Sequence, residues 1–174
     1  MLYYKTKVGE EYTKVEESGR NSQKGVLHML IGEYNHSIDI KGRIIMPAKF
    51  REDIGDTFYI TISQEKGQCL KVYSPEQWQL FFEKVASIKE SDKIAVRFKR
   101  EVLSHSAECN VDKQGRILIP DILVKYANLE KDVTVIGQGS YIELWDYSKW
   151  LDYNSEETEI DEEKFAEHLS NYGL

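Results

Sequence analysis

The chain has 174 residues, 41% hydrophobic and 30% charged, which is enough for one ordinary core or two small ones and excludes disorder throughout. No apolar run exceeds four residues, well short of the roughly 18 that cross a bilayer or the ~7 of a signal-peptide core, so the reading is of a cytosolic protein. The net charge of -7 falls between Asp146 and Glu167, where nine acids meet only Lys149 and Lys164; the rest sums to zero, so a nucleic-acid partner stays open.

In chain order, residues 1–30 form an extension with little periodicity. A first unit over 33–75 follows, then a helical linker over 76–103, a second unit over 104–147 and an acidic helical tail over 148–174. In the first unit, Asp39 and Gly42 stand at the ends of a four-residue turn between β-branched residues, which predicts a hairpin. Asp39 can accept backbone N–H bonds across the turn, and Gly42 supplies the left-handed angle that closes a type I turn with a bulge. Arg43 then stands beside the turn, and Ile44 to Met46 are expected as buried strand positions. Pro47 is pre-set for the first position of a helix that runs over 48–54 and stops at Gly55. Strands over 57–63 and 69–73 complete the unit.

In the linker, Ser74-Pro75-Glu76-Gln77 is a capping box. Trp78, Phe81, Phe82 and Val85 recur at i, i+3, i+4 and i+7, a core-facing or oligomer-packing stripe. A second helix is predicted over 92–103, with Ile94, Ala95, Phe98 and Val102 inward and Lys93, Arg97 and Arg100 along a solvated face.

The second unit repeats the first. Val111 to Pro120 matches Ile38 to Pro47 at an offset of 73 (Asp39 to Asp112), with five of ten positions identical. Asp112, Gly115 and Arg116 take the places of Asp39, Gly42 and Arg43; Ile117 to Ile119 are buried strand positions, and Pro120 leads a helix over 121–127 that stops at Asn128. Strands over 132–137 and 141–145 follow, giving the order ββαββ twice. Trp150, the counterpart of Trp78, anchors a further helix, and Phe165 with Leu169 allows one more in the tail. Each unit is too short to bury a stable core alone, so the two complete one another or pair with copies on other chains. Cys69 and Cys109 lack clustered partners and are taken as reduced structural thiols; His36 and His105 are polar strand-edge residues, and no metal or other cofactor is expected.

The two Asp-x-x-Gly-Arg turns, the segment Ile31 to Asp39 and Ala107-Glu108-Cys109 together resemble the MraZ family over about residues 29–151. The resemblance implies an α+β fold: two SpoVT-AbrB-type ββαββ half-barrels forming a pseudo-symmetric swapped-hairpin β-barrel with flanking helices. It also implies a ring-shaped homo-oligomer, with no membrane partner, that binds double-stranded DNA at repeated upstream promoter sites. Such a protein would be a cytoplasmic, nucleoid-associated regulator of the bacterial division and cell-wall gene cluster, usually repressing its own gene. The family's usual beginning matches Met29 to Tyr34. Lys24-Gly25-Val26 can be encoded with a purine-rich ribosome-binding sequence just upstream, so Met29 is a candidate start; if retained, residues 1–28 are expected to form a flexible arm.

The residues explain how such a site would work. An arginine fork beside a rigid turn can make paired bonds to a phosphate or to guanine O6 and N7, and a nearby lysine adds a point charge. Arg43 and Arg116 are therefore the first candidate DNA contacts, with Lys41 and Lys113 beside them and Asp39, Gly42, Asp112 and Gly115 as turn-forming support. Lys41 and Lys113 stand at different steps of their turns, so the two units are not expected to contact DNA identically. Two other classes compete. One is an enzyme using Asp39, Glu108 and Asp112 as acids or metal ligands, but no nucleophile–base pair, phosphate loop or HExxH-like spacing accompanies them. The other is an oligomeric, antitoxin-like interaction module with the same half-barrel.

Overall fold

Each unit follows the same local rules, and the two assemble by trading strands. In a computed structural model the described residues are 29–63, 68–157 and 162–173; the expectations for residues 1–28 lie outside them. The first unit supplies β1 (Leu30–Ser37), β2 (Arg43–Ile45), α1 (Ala48–Ile54), β3 (Thr57–Ile62) and β4 (Leu70–Tyr73). Two helices follow, α2 (Pro75–Ala86) and α3 (Lys93–Ser104). The second unit supplies β5 (Ala107–Asn110), β6 (Arg116–Leu118), α4 (Asp121–Ala127), β7 (Asp132–Gly139) and β8 (Ile142–Asp146), and the chain continues into α5 (Tyr147–Glu157) and α6 (Glu162–Ser170).

The α+β class and the ββαββ order hold, but β1 and β2 do not pair as a hairpin beyond their turn. β1 runs antiparallel to β7 of the other unit, β5 runs antiparallel to β3, and β2 and β6 pair only with each other. The main sheet has six strands in the order β1-β7-β8-β4-β3-β5, with β2-β6 as a separate two-stranded ribbon. Exchanging the units turns the six-strand order into its own reverse, so the fold has a pseudo-two-fold relation about the β8–β4 pair. Among the described residues the sheet does not close into a barrel. Its ends are β1 and β5, and the two strands that would bridge them are diverted into the ribbon.

The core lies between the sheet, the ribbon and the two short helices. Ile44, Met46, Phe50, Phe58, Ile60 and Leu70 from the first unit meet Ile117, Ile119, Leu123, Val133, Val135 and Leu144 from the second. All five residues of β8 are buried, because α5 covers its other face. Trp145 packs against Trp150 and Tyr153 with ring centroids 5.5 and 5.1 Å apart. Its indole N–H donates to Glu143 Oε2 at 2.9 Å, which gives this buried carboxylate a partner.

Several local expectations shift for identifiable reasons. Pro47 and Pro120 have ψ near 133° and 140°, so each is the extended N-cap residue and the helix begins one residue later. Ile45 and Leu118 are 49% and 56% exposed, because alternation along a three-residue strand turns its outer positions opposite to the buried Ile44 and Ile117. In α2, Trp78 stacks on Tyr59 and Phe81 on Tyr73, while Phe82 stays exposed on the flank. Ile94 is 86% exposed: it sits in the first turn of α3, ahead of Phe98 and Val102, which reach the core. His105 caps the C-terminus of α3 rather than lying on a strand edge. Ser74 caps α2, accepting from Gln77 N at 3.3 Å, and Asp92 is the N-cap of α3 rather than its first residue, accepting from Ala95 N at 3.0 Å. Among the described residues no helix is long and apolar enough to cross a membrane.

Candidate nucleic-acid interface

Both turns obey the same construction. Gly42 N donates to Asp39 O at 2.9 Å, closing the type I turn, and Asp39 N donates to Arg43 O at 2.9 Å, closing the bulge. In the second unit the same two bonds run from Gly115 N to Asp112 O at 2.9 Å and from Asp112 N to Arg116 O at 2.8 Å. Gly42 and Gly115 sit at φ 75° and 76°, the left-handed angle that the bulge requires.

The aspartate does two tasks in each turn. Asp39 Oδ1 accepts from the backbone N–H groups of Lys41 and Arg43 at 2.9 and 3.0 Å, while Oδ2 accepts from Arg43 Nε at 2.7 Å and lies 2.6 Å from Nη2. Asp112 Oδ1 accepts from Gln114 N and Arg116 N at 2.8 and 2.9 Å, and Oδ2 from Arg116 Nε at 2.8 Å, with Nη2 at 2.7 Å. These bonds hold both carboxyls well below the ordinary 3.8, at about 2. The Arg43 side-chain bond is the largest cause for Asp39 and the Arg116 backbone bond for Asp112. The carboxylate clamps one edge of each guanidinium. The Nη1 edge makes no bond to any described residue, and the side chains remain 32% and 28% exposed.

The ribbon sets the spacing of the two forks. Arg43 stands opposite Leu118, and Ile45 opposite Arg116. Two steps along the strand and one across place the arginine Cα atoms about 8 Å apart. The outer face of the ribbon is therefore two arginines on one diagonal and Ile45 with Leu118 on the other. Lys41 and Lys113 project as exposed residues from the turns at opposite ends, beside a fully exposed Ile40. A two-stranded antiparallel ribbon has a width that a DNA major groove admits.

Each turn is braced by the other unit. Ile119 N donates to Gly42 O at 2.9 Å, and Met46 N donates to Gly115 O at 3.1 Å. Glu108, the third acid of the enzyme alternative, accepts from Tyr59 OH at 2.8 Å on β5. Asp39, Glu108 and Asp112 are thus each engaged in a separate local bond. Sequence reasoning gives no signal for Arg51, whose guanidinium lies against Gly115 of the second turn. Its repeat counterpart is Val124, and the contact joins two units.

A family model described as "MraZ protein, putative antitoxin-like" matches residues 29–101 and 102–171, once for each unit. The chain is 44% identical over 146 residues to the transcriptional regulator MraZ of Clostridium tetani, covering 84% of this chain and 100% of that protein. It is equally similar, with the same coverage, to the transcriptional regulator MraZ of Caldanaerobacter subterraneus subsp. tengcongensis. The transcriptional regulator MraZ of Lachnoclostridium phytofermentans is also 44% identical over 146 residues, 84% of this chain and 99% of that protein. The chain belongs to the MraZ family.

Proposed function

We propose that this MraZ-family chain is a transcriptional regulator that grips double-stranded DNA with the outer face of the β2–β6 ribbon. Arg43 and Arg116 are the principal contacts, and Lys41 and Lys113 add charge at the two turns. One observation carries the reading: two identical aspartate-clamped turns fix two guanidinium forks about 8 Å apart on one exposed ribbon, each with its Nη1 edge unbonded to any described residue. Clamping lowers the entropy lost when a fork meets a phosphate or a guanine edge, and Ile45 and Leu118 suit thymine methyl groups between the forks.

A single ribbon with four cations binds weakly. The reading therefore includes a homo-oligomer, a ring in which several ribbons meet repeated sites upstream of the protein's own division and cell-wall genes, with repression as the outcome. The pseudo-symmetric exchange of strands is read as the swapped-hairpin architecture of SpoVT-AbrB-type repeats over 33–75 and 104–147. Residues 76–103 are the helical linker, 148–174 the acidic tail and 1–30 an N-terminal extension. The protein is placed in the cytoplasm at the nucleoid, without enzymatic activity.

A salt-titrated gel shift with the gene's own upstream DNA tests this. Log affinity should fall with log salt at a slope of about -0.9 per neutralised phosphate. Arg43→Ala and Arg116→Ala should weaken the shift while the oligomer, measured by light scattering, stays intact. Unchanged binding in both variants removes the site, and no shift at low salt removes the function. The oligomeric interaction module remains the second reading, favoured by the exposed Leu80, Phe82 and Ile94 on α2 and α3; it predicts an intact oligomer that ignores the promoter.

A further inference from the structure

We infer that Arg51 is a third phosphate-binding cation of the second turn, so that the two turns of one chain grip DNA unequally. The inference rests on the proposed DNA reading and deepens it. Arg51 lies on α1 of the first unit, yet its guanidinium reaches across to the turn of the second. A side-chain carbon built at Gly115 would fall 2.9 Å from both Cζ and Nη1 of Arg51 and 3.2 Å from Nη2. Three atoms at nearly one distance mean that the flat face of the guanidinium rests on the glycine. Only a residue without a side chain leaves room for it.

The bonding of Arg51 leaves most of its donors free. Nε donates to Met46 O at 3.1 Å, which fixes the side chain from behind. Nη1 and Nη2 have no bonded partner among the described residues, and no described carboxylate pairs with the group. Its neighbours Glu52 and Asp53 stand on the same helix, and the nearest acid of the turn, Asp112, is committed to Arg116. A half-buried guanidinium with its four terminal N–H groups unengaged, beside a turn that already presents Lys113 and Arg116, is arranged to receive an anion.

The pseudo-two-fold relation supplies an internal control. In the first turn the place of Gly115 is taken by Gly42, and a carbon built there would meet Ile119 O at 2.9 Å and Val124 Cγ2 at 3.7 Å. Val124 is the repeat counterpart of Arg51 (51 and 124 differ by 73). The first turn thus has two cations, Lys41 and Arg43, against an apolar neighbour, and the second has three. Counting the residues of each turn and the side chain packed on its glycine, the charge is +1 against +2, so the second turn is the stronger phosphate grip.

The test uses the full-length protein and a labelled duplex from its own upstream region, with a scrambled duplex of equal length alongside. Arg51→Gln should weaken both complexes by the same several-fold factor at ~0.1 M salt and make the salt slope shallower by about one per engaged chain. Arg51→Lys, which keeps the charge, should restore the slope. If Arg51→Gln leaves affinity and slope unchanged, or Lys and Gln behave alike, Arg51 only braces the turn and the inference falls. Phenylglyoxal modification of the wild-type protein, mapped by mass spectrometry, gives a readout independent of folding: DNA should protect Arg51, and equal modification with and without DNA overturns the inference. Loss of binding in the wild type would instead refute the DNA reading itself. Binding that depends on Arg43 and Arg116 but not on Arg51 would refute this inference alone.

Discussion

Gly42 and Gly115 have the same angle and the same turn but different neighbours, so replacing each with alanine separates two costs. Both variants force a side chain into the left-handed region, at about 1–2 kcal/mol each. At Gly42 the new carbon would also lie 2.9 Å from Ile119 O, a backbone atom of the opposite unit. Ile119 N donates to Gly42 O across the same contact at 2.9 Å, so relieving the clash strains that bond and adds about 1 kcal/mol. At Gly115 the obstacle is the end of the Arg51 side chain, which can swing away. Gly42→Ala should therefore cost about 2–3 kcal/mol and Gly115→Ala about 1–2, a gap of about 2–4 °C in Tm for a chain of this size. Urea unfolding followed by tryptophan fluorescence at one fixed protein concentration measures both. Equal losses, or a greater loss in Gly115→Ala, would refute the reasoning that backbone approach rather than angle sets the difference.

Asp39 and Asp112 should stay ionised far into acid. Their carboxyls lie at about 2 in the fold against an ordinary 3.8, so their contribution to stability is fully present above about pH 4 and is lost as pH falls through about 2. Carboxyl-carbon NMR titration checks this, and a midpoint near 3.8 for either residue would show its turn to be open. The Cys109 thiol is pushed up to about 11, first by burial and then by the Glu108 carboxylate. Iodoacetamide at pH 8 should therefore leave Cys109 unlabelled in the native protein and label it in urea; rapid native labelling would contradict its burial. Leu144 is fully buried on β8, opposite Val135 and Leu70, so Leu144→Ala should lose about 2–5 kcal/mol in urea unfolding. A loss under about 1 kcal/mol would place that strand outside the core.

What was legible in the sequence is what neighbouring residues decide among themselves. Asp-x-x-Gly-Arg specifies its own turn, and the bounds of α1 and α4 follow from a leading proline and a stop at Gly55 or Asn128, the latter left-handed at φ 52°. Strand partners are a different matter. A turn of this kind predicts that its flanking strands pair, yet Asn35 bonds to Thr134, 99 residues away, and the hairpin is reduced to the turn itself. The outward facing of Ile45 and Leu118 and the reach of Arg51 to Gly115 follow from that exchange and have no local signature. The helical stripes misled at Phe82 and Ile94 because periodicity marks a face of a helix but not how much of that face the sheet covers.

The exchange also decides what half of this chain can do. In the whole protein every strand of the second unit has a first-unit partner: β5 pairs with β3, β6 with β2, β7 with β1 and β8 with β4, and the one pairing inside the unit is β7 with β8. A fragment of residues 104–174 keeps only the β7–β8 pairing, and its turn loses the Met46 N–H bond to Gly115 O. Such a fragment cannot bury Ile117, Ile119 and Leu123 by itself, but a second copy can supply a β5 for its β7 and a β6 for its β6. Folding should therefore be coupled to dimerisation. Circular dichroism over a dilution series should show the fragment unfolded when dilute and folded at high concentration, with sedimentation reporting a dimer. A stable folded monomer at every dilution would mean that the units do not need each other's strands, and the account of why the two turns are held rigid would go with it.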